Sequence, residues 1–452
     1  MATPAVARRR QTVSRVDAGS LDTLSDRLRA RTAHVAIIGL GYVGLPLAVE
    51  FAKVGFRVTG LELDRERAAR VNAGRSYILD VPDAELAPLV RDKKLRATAN
   101  DDMLSQADAI IICVPTPLRK TREPDISFIM SAAEKIAAHI RRGQLIVLES
   151  TTYPGTTQEV LQSRFEAQGL KVGSDFALAF SPERVDPGNP KYTTKTIPKV
   201  VGGVTARCTA LAQQLYGQVI DHVVPVSSPR VAEMVKLLEN TFRAVNIGLV
   251  NEVALMCHTL GINVWEVIEA AKTKPFGFMA FYPGPGLGGH CIPSDPIYLS
   301  WKARMHGFEA RFIELAAQIN GYMPQYVVDR VMAALNQARK PLKGSRVLML
   351  GVAYKPDVGD TRDSPALEIL RFLHERGAAA SYHDPFVASC IIEGKRWRSV
   401  PLTTRLLREQ DCVVLVTHHS RIDYGAIVKY APLILDTRNQ LRGVRSAHVI
   451  RL

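Results

Sequence analysis

A short strand, His34-Val35-Ala36-Ile37-Ile38, runs directly into Gly39-Leu40-Gly41-Tyr42-Val43-Gly44 and then into an apolar helical run from Leu45 to Val54. Strand, glycine turn and helix in this order constrain the fold of the 452-residue chain more than any other feature. Gly39 makes a tight turn, Gly41 lets a pyrophosphate approach the backbone, and Gly44 lets the helix pack on the strand. The helix N-terminus then faces the phosphates. A second strand, 56–62, ends in Glu62, 21 residues after Gly41, where a carboxylate would bind the adenosine ribose hydroxyls. The implied ligand is a dinucleotide. Glu62 repels a 2′-phosphate, although Arg65 and Arg67 lie close, so NAD is expected over NADP.

The alternation continues. An apolar strand, 109–114, closes in Pro115-Thr116-Pro117; a helix spans Ser127 to His139; a strand over 145–148 leads into Glu149-Ser150-Thr151; and 176–180 leads into Ser181-Pro182-Glu183-Arg184. Repeated strand–helix units imply a parallel, doubly wound sheet with ligand-facing loops at the strand ends. After Val226 the period changes. Apolar residues at 231, 234, 235, 238, 242, 245, 249, 253, 256 and 260 trace one stripe of a long helix, with Ser228 as N-cap and Pro229 in the first turn. The opposite stripe, with Glu233, Lys236, Asn240 and Arg243, reads as a solvated face. Helical patterns run to about residue 339, broken at Gly321 and Pro324. A second α/β pattern follows, with strands at 346–351, 380–383, 412–416 and 433–436 and a helix over 364–375. Its first turn, Gly351-Val352-Ala353-Tyr354-Lys355, lacks the three-glycine spacing, which argues against a second dinucleotide but leaves another nucleotide ligand open.

Between these halves lies Gly284-Pro285-Gly286-Leu287-Gly288-Gly289-His290-Cys291-Ile292-Pro293-Ser294-Asp295. The glycines and prolines suit a loop that hugs a ligand. Cys291 can serve as a nucleophile, and Asp295 can manage protons or orient a partner. The other five cysteines (113, 208, 257, 390 and 412) sit in apolar or helical contexts and read as core residues. No Cys-x-x-Cys pair and no His at ligand spacing is present, so neither a metal site nor a disulfide framework is expected. The net charge of +14 is spread along the chain without a nucleic-acid motif, and suits phosphate ligands instead. No apolar run reaches membrane-spanning length, and the arginine-rich first 20 residues lack the apolar segment of a secretory signal. A loose N-terminal tail and a cytoplasmic location are the expectations.

Several motifs now fall in one order: GLGYVGLP (39–46), VPTP (114–117), EST (149–151), SPE (181–183), EMVKLLEN (233–240), GPGLGGHCIPSDP (284–296), YKPDVGDTRDSP (354–365) and DTRN (436–439). Over about residues 30–450 the chain resembles the UDP-glucose/GDP-mannose dehydrogenase family of four-electron nucleotide-sugar oxidoreductases. The resemblance implies two Rossmann-like domains joined by a long central helix, usually in a homodimer, and two equivalents of NAD per C6 alcohol oxidised to a carboxylate. The implied boundaries are a basic extension (1–30), an NAD-binding domain (31–225), a central helical and dimerisation domain carrying the cysteine loop (226–325) and a UDP-sugar-binding domain (326–452).

The resemblance also assigns roles. Cys291 would form a thiohemiacetal and then a thioester; Lys236, with Asn240 one helical turn on, would assist alcohol deprotonation and stabilise negative oxygen. Glu183 and Asp295 would order and deprotonate the hydrolytic water, with Thr151 holding it. The cofactor would meet Gly39, Gly41, Tyr42, Val43, Gly44, Glu62 and Arg67, then Pro115, Thr116, Ser150 and Thr151 at the strand ends. The sugar nucleotide would meet Glu183, Arg184, Lys236 and Asn240. Gly284, Gly286, Gly288 and Gly289 would cradle it, and Lys355, Arg362 and Arg438 would bind its UDP portion. His290 in the cysteine loop and the segments 149–157 and 272–278 look most like the bacterial N-acetylhexosamine branch. UDP-N-acetylglucosamine is therefore the expected substrate, for surface polysaccharide synthesis, with UDP-N-acetylmannosamine or UDP-glucose as alternatives. A two-electron hydroxyacid dehydrogenase and an inactive nucleotide-sugar binder are more distant readings.

Overall fold

The computed structural model describes residues 20–78, 80–119, 121–185, 192–289 and 291–452. The arginine-rich tail before Ser20 and His290 thus lie outside the described residues. Two compact units result: the chain up to Thr116 with Asp125–Lys236, and Pro117–Pro124 with Leu237–Leu452.

In the first unit, strands β1 (His34–Ile38), β2 (Arg57–Leu61), β3 (Leu95–Thr98), β4 (Ala109–Ile112), β5 (Leu145–Leu148), β6 (Ala177–Phe180), β7 (Lys199–Gly203) and β8 (Val223–Val226) form one sheet. Its order is β3-β2-β1-β4-β5-β6-β7-β8. Along β1, Val35 and Ile37 enter one core and Ala36 and Ile38 the other. Side chains alternate across a strand, so helices must cover both faces, which is why these strands read as continuous apolar runs. The expected all-parallel sheet holds from β3 to β6; β7 then pairs antiparallel with β6, and β8 parallel with β7. β3, β7 and β8 carry Arg96, Lys199 and Pro225 among their few residues, and that broke the apolar pattern used to find strands.

The second unit repeats the plan. Strands β9 (Arg346–Leu350), β10 (Ala379–His383), β11 (Ser389–Ile392), β12 (Lys395–Arg398), β13 (Cys412–Leu415), β14 (Ile434–Asp436) and β15 (Val449–Arg451) form a five-stranded parallel sheet, β10-β9-β13-β14-β15, and a β11–β12 hairpin. Val347 and Met349 face one core, Leu348 and Leu350 the other.

The helix Pro229–Leu260 contains the boundary between the units. Its 32 residues span about 48 Å at 1.5 Å per residue. Its two stripes largely reverse the expectation. Glu233, Lys236 and Asn240 are buried, with Arg243 exposed as expected, whereas Val231, Met234, Leu238, Phe242, Leu249, Met256 and Leu260 are exposed and Val235, Val245 and Val253 half-buried. Periodicity identified the helix correctly but could not tell which stripe its own chain would cover. Arg311–Gln337 is also one helix, unbroken at Gly321 and Pro324. Pro324 releases the Asn320 carbonyl from its helical partner, and a Cβ on Gly286 would stand 3.3 Å from that oxygen.

Candidate active site

The glycine turn of the first unit has the shape a dinucleotide needs. Gly39 has φ +91°, and a Cβ there would meet the Cys113 carbonyl oxygen at 2.6 Å. A Cβ on Gly44 would overlap the Gly39 carbonyl, whereas one on Gly41 meets nothing within 4 Å. Two glycines are thus required by the protein's own packing, and the third opens onto space. Tyr42 is exposed and Val43 half-buried beside that space. Glu62 is buried; its Oε2 accepts the Leu40 N–H and its Oε1 the Asp64 N–H, each at 3.1 Å. One bond per oxygen leaves acceptor capacity for a ribose diol.

A cavity of about 280 Å³ adjoins this turn, lined by Gly41, Tyr42, Asp64, Arg67, Arg70 and Tyr77. Arg67 lies 5.5 Å over the Tyr77 ring and 3.5 Å from the Asp64 carboxylate, so its charge is already partnered. Tyr77 donates to the Leu40 carbonyl at 2.6 Å; burial, reinforced by the Glu62 charge, pushes its hydroxyl up to about 12. Across the sheet, Ser150 donates to the Val114 carbonyl at 2.8 Å and ties the β5 end to the β4 end. Thr116 is buried there, Thr151 is half-buried and Pro115 is exposed. These features fit NAD.

The same strand ends hold a buried charge cluster. Lys199 Nζ lies 3.1 Å from Glu149 Oε2 and 3.4 Å from Glu183 Oε2. Glu149 takes the Tyr216 hydroxyl on its other oxygen. Glu183 Oε1 accepts the backbone N–H groups of Arg184 and Val185, both at 2.7 Å. Burial pushes Glu149 up to about 7 against the pull of Lys199. Burial acts on Glu183 as well, but Lys199, the two N–H donors and Lys236 outweigh it and hold its carboxyl below the usual range. Arg184 donates to the Pro198 carbonyl at 2.6 Å. Glu233, three residues before Lys236, anchors the helix by accepting Gly155 N–H (2.6 Å), Thr157 N–H (2.9 Å) and Thr157 Oγ1–H (2.7 Å).

In the second unit the expected cysteine loop ends earlier than its composition suggested. A helix begins at Cys291 and runs to Met305, with Pro293 in its first turn and Pro296 inside it. A proline in a first turn gives up an N–H that would have no helical partner anyway. Cys291 is exposed and the other five cysteines are buried. Asp295, four residues on and so on the same helix face, is buried and accepts Asn240 Nδ2–H at 2.5 Å.

The glycine loop is pinned from both sides. Gly284 N–H donates to Asn251 Oδ1 (2.9 Å), and Asn251 donates to Asn320 (2.8 Å). Gly289 N–H donates to the Arg362 carbonyl (3.0 Å), and a Cβ there would meet the Tyr354 ring at 2.8 Å. A Cβ on Gly288 would meet Tyr354 Cβ at 2.7 Å, and one on Gly284 would overlap the Arg438 guanidinium. Arg438 donates to the Val416 carbonyl at 3.0 Å, and burial pulls its guanidinium down to about 10. Among the described residues no carboxylate pairs with it, so this cationic group faces the glycine loop ready for an anion. Arg362 is instead engaged by Asp360, at 2.6 Å, and Lys355 is half-buried in the same loop.

The NAD binding domain model of the UDP-glucose/GDP-mannose dehydrogenase family matches residues 33–220, its central domain 230–322 and its UDP binding domain 348–443. The chain belongs to this family. A UDP-N-acetyl-D-mannosamine dehydrogenase of Pyrococcus horikoshii is 34% identical over 415 residues, 90% of this chain and 96% of that one. A UDP-N-acetyl-D-glucosamine 6-dehydrogenase of Pseudomonas aeruginosa is 37% identical over 357 residues, 78% of this chain and 83% of that one. The solved Pyrococcus horikoshii UDP-D-ManNAc dehydrogenase structure superposes with TM-score 0.85 at 33% identity, covering 92% of this chain and 98% of that one. NAD is therefore the cofactor, and NAD-dependent oxidation of a nucleotide sugar the reaction class.

The sequence reading gave no role to Lys199, Glu149, Tyr354 or the Asn251–Asn320 pair. Lys199 had one visible signal, a lysine opening the apolar run Lys199-Val200-Val201. A charge at a strand start looks like an exposed edge, and only the fold reveals its burial.

Proposed function

We propose that this dehydrogenase oxidises the C6 alcohol of UDP-N-acetylglucosamine to the carboxylate in two steps, with Cys291 as covalent nucleophile. The observation that carries this reading is Cys291 itself: the one exposed cysteine, at the first position of a 15-residue helix, four residues from a buried carboxylate. The positive end of a helix favours negative charge on sulfur.

Bound NAD⁺ supplies the hydride acceptor in each oxidation. Lys236 takes the role of stabilising the alkoxide and later oxyanion, shared with Asn240, whose amide is oriented by Asp295. Cys291 Sγ bonds to the aldehyde carbon, so that carbon becomes a thioester after the second oxidation. Water, held by Thr151, then forms the new C–O bond as the C–S bond breaks and releases the Cys291 thiolate, with Glu183 and Asp295 ordering the water and taking up its proton. Arg438, beside the glycine loop, supports assignment of this loop to the diphosphate. Lys355 and Arg362 are assigned to the uridine nucleotide as well.

The acetamido sugar is supported by the identity to N-acetylhexosamine enzymes. A pocket that hydrogen-bonds the acetamido group discriminates against a sugar lacking it, because its polar groups are left unpaired. UDP-N-acetylmannosamine is the second reading, favoured by the relative matched over 96% of its length. Comparing kcat/KM for these two and UDP-glucose tests the choice. The highest value is expected for UDP-N-acetylglucosamine, and a UDP-glucose value equal to it or above would overturn the branch.

The exposed stripe from Val231 to Leu260 supports a homodimer that covers it. Sedimentation should give twice the chain mass, and Leu249→Glu should yield monomer.

A further inference from the structure

We propose that Lys199 is a positioning residue for the hydrolytic half of the reaction: it fixes the Glu183 carboxylate, and the Glu149–Tyr216 pair in turn fixes Lys199. This rests on the reading of Glu183 as a water-ordering group.

The geometry carries the argument. Lys199 opens β7, all five of whose residues are buried. A buried ammonium survives only if its charge is met by partners of good geometry. Here Glu149 Oε2 lies at 3.1 Å, Glu183 Oε2 at 3.4 Å and the Tyr216 ring centroid at 5.1 Å. Glu149 cannot swing away, because Tyr216 holds its other oxygen. Glu183 cannot rotate, because Oε1 accepts two backbone N–H groups. Oε2, with two lone pairs, accepts from Lys199 and keeps one for a water.

The charged and titratable groups around Lys199 are Glu149 after β5, Glu183 after β6, Cys113 after β4 and Tyr216 on the helix Ala206–Tyr216. Lys236 adds its charge on the Glu183 side. Two carboxylates thus share one fully buried ammonium. Glu149 is the one pushed up and Glu183 the one held down, because the N–H donors and Lys236 act only on Glu183. A carboxylate held low orients water and steadies the charge it develops. It is a weak proton store, which narrows the role the family resemblance suggested.

The test follows Lys199→Met, Lys199→Arg and Glu149→Gln in the full-length enzyme, with wild type as reference and a UDP-N-acetylhexosamine as substrate. Lys199→Met should bind NAD⁺ and substrate within ~3-fold of wild type but turn over on the order of 10²-fold more slowly. A Cys291 adduct should build up in acid-quenched intact mass. The acidic limb of the kcat–pH profile should move up by about one pH unit, as Glu183 loses its counter-charge. Lys199→Arg should restore most of the rate, and Glu149→Gln should slow turnover and build up the adduct in smaller measure without moving the acidic limb up, because Glu149 is already protonated where Glu183 titrates. Unchanged turnover, or slowed turnover with neither adduct nor limb shift, overturns the positioning role. If Lys199→Met does not fold, Glu149→Gln decides on turnover and adduct: unchanged turnover, or slowed turnover without adduct, overturns the positioning role. If wild type reduces only one NAD⁺ per product, the Cys291 reading itself fails, an outcome separate from failure of the Lys199 variants alone.

Discussion

The two sheets carry an acid at the same place, one residue past their second strand, and hold it in different ways. Glu62, after β2, accepts one backbone N–H on each oxygen, next to a turn whose middle glycine opens onto space. Asp384, after β10, accepts N–H from Val352 and Ala353 on one oxygen and from Phe386 and Val387 on the other. His419 Nε2 lies 3.0 Å from it as well. Although burial pushes Asp384 up, these donors win and hold its carboxyl below the usual range. Val352 and Ala353 belong to the turn after β9, the counterpart of the glycine turn after β1 in the first unit. In the second unit those N–H groups are already bound, so no pyrophosphate can use them. One topology thus gives an acid with acceptor capacity to spare in one unit and a fully engaged acid in the other, and what separates them is how many donors surround the carboxylate.

The contrast breaks most visibly at these acids. Asp384→Ala leaves several buried donors unpaired and should cost about 3–5 kcal/mol, seen as loss or a large drop of the thermal transition. Glu62→Ala should cost only about 1 kcal/mol in stability yet raise the KM for NAD⁺ by roughly tenfold or more, the equivalent of one good hydrogen bond to a charge. A mild Asp384→Ala would remove the distinction.

The glycines sharpen the same point on a smaller scale. Gly44→Ala forces a Cβ onto the Gly39 carbonyl and should destabilise by about 1–3 kcal/mol. Gly41→Ala meets no protein atom. It should melt like wild type and lose NAD⁺ affinity, read by titration calorimetry; equal melting losses in both variants would contradict the division of labour.

Acid separates the units least, but with a definite sign. His34, buried with Nε2 on Thr59 and Nδ1 on the Gln106 carbonyl, is pulled down to about 4, by burial first and by Arg57 next. Its folded value lies below its unfolded one, so protonation favours unfolding. Its contribution is complete above about pH 6.5 and is lost progressively down to about pH 4. Asp384 is likewise held down, so its contribution is intact above about pH 4 and fails only below it. Chemical denaturation of wild type minus His34→Gln should show a difference of about 3 kcal/mol developing across pH 6.5 to 4; a flat difference would refute it.

Much of this was legible in sequence because it rests on local rules. The Gly39–Gly44 turn, the helix Ser127–His139, the strand Leu145–Leu148 and the Ser228–Pro229 helix start all follow from short-range sterics and periodicity. What stayed hidden is long-range. The burial of Lys199 depends on β6 and β7 running antiparallel, and the reversed stripes of the long helix depend on what covers them. The burial of Asp384 depends on a histidine 35 residues away. Composition also misled where a helix could start: Cys291 opens one despite Pro293, since the first turn tolerates what a helix interior resists, and the helix continues through Pro296.

The most direct test of the account is a count. If the proposed sulfur-bound intermediate forms and the dinucleotide site is used twice, two NADH are required for each UDP-sugar consumed. Absorbance at the NADH band, set against product quantified by chromatography with limiting UDP-N-acetylglucosamine, gives that ratio. The account predicts two NADH and a carboxylate product, with no acid formed by Cys291→Ala. A ratio of one, or full turnover by Cys291→Ala, would contradict it.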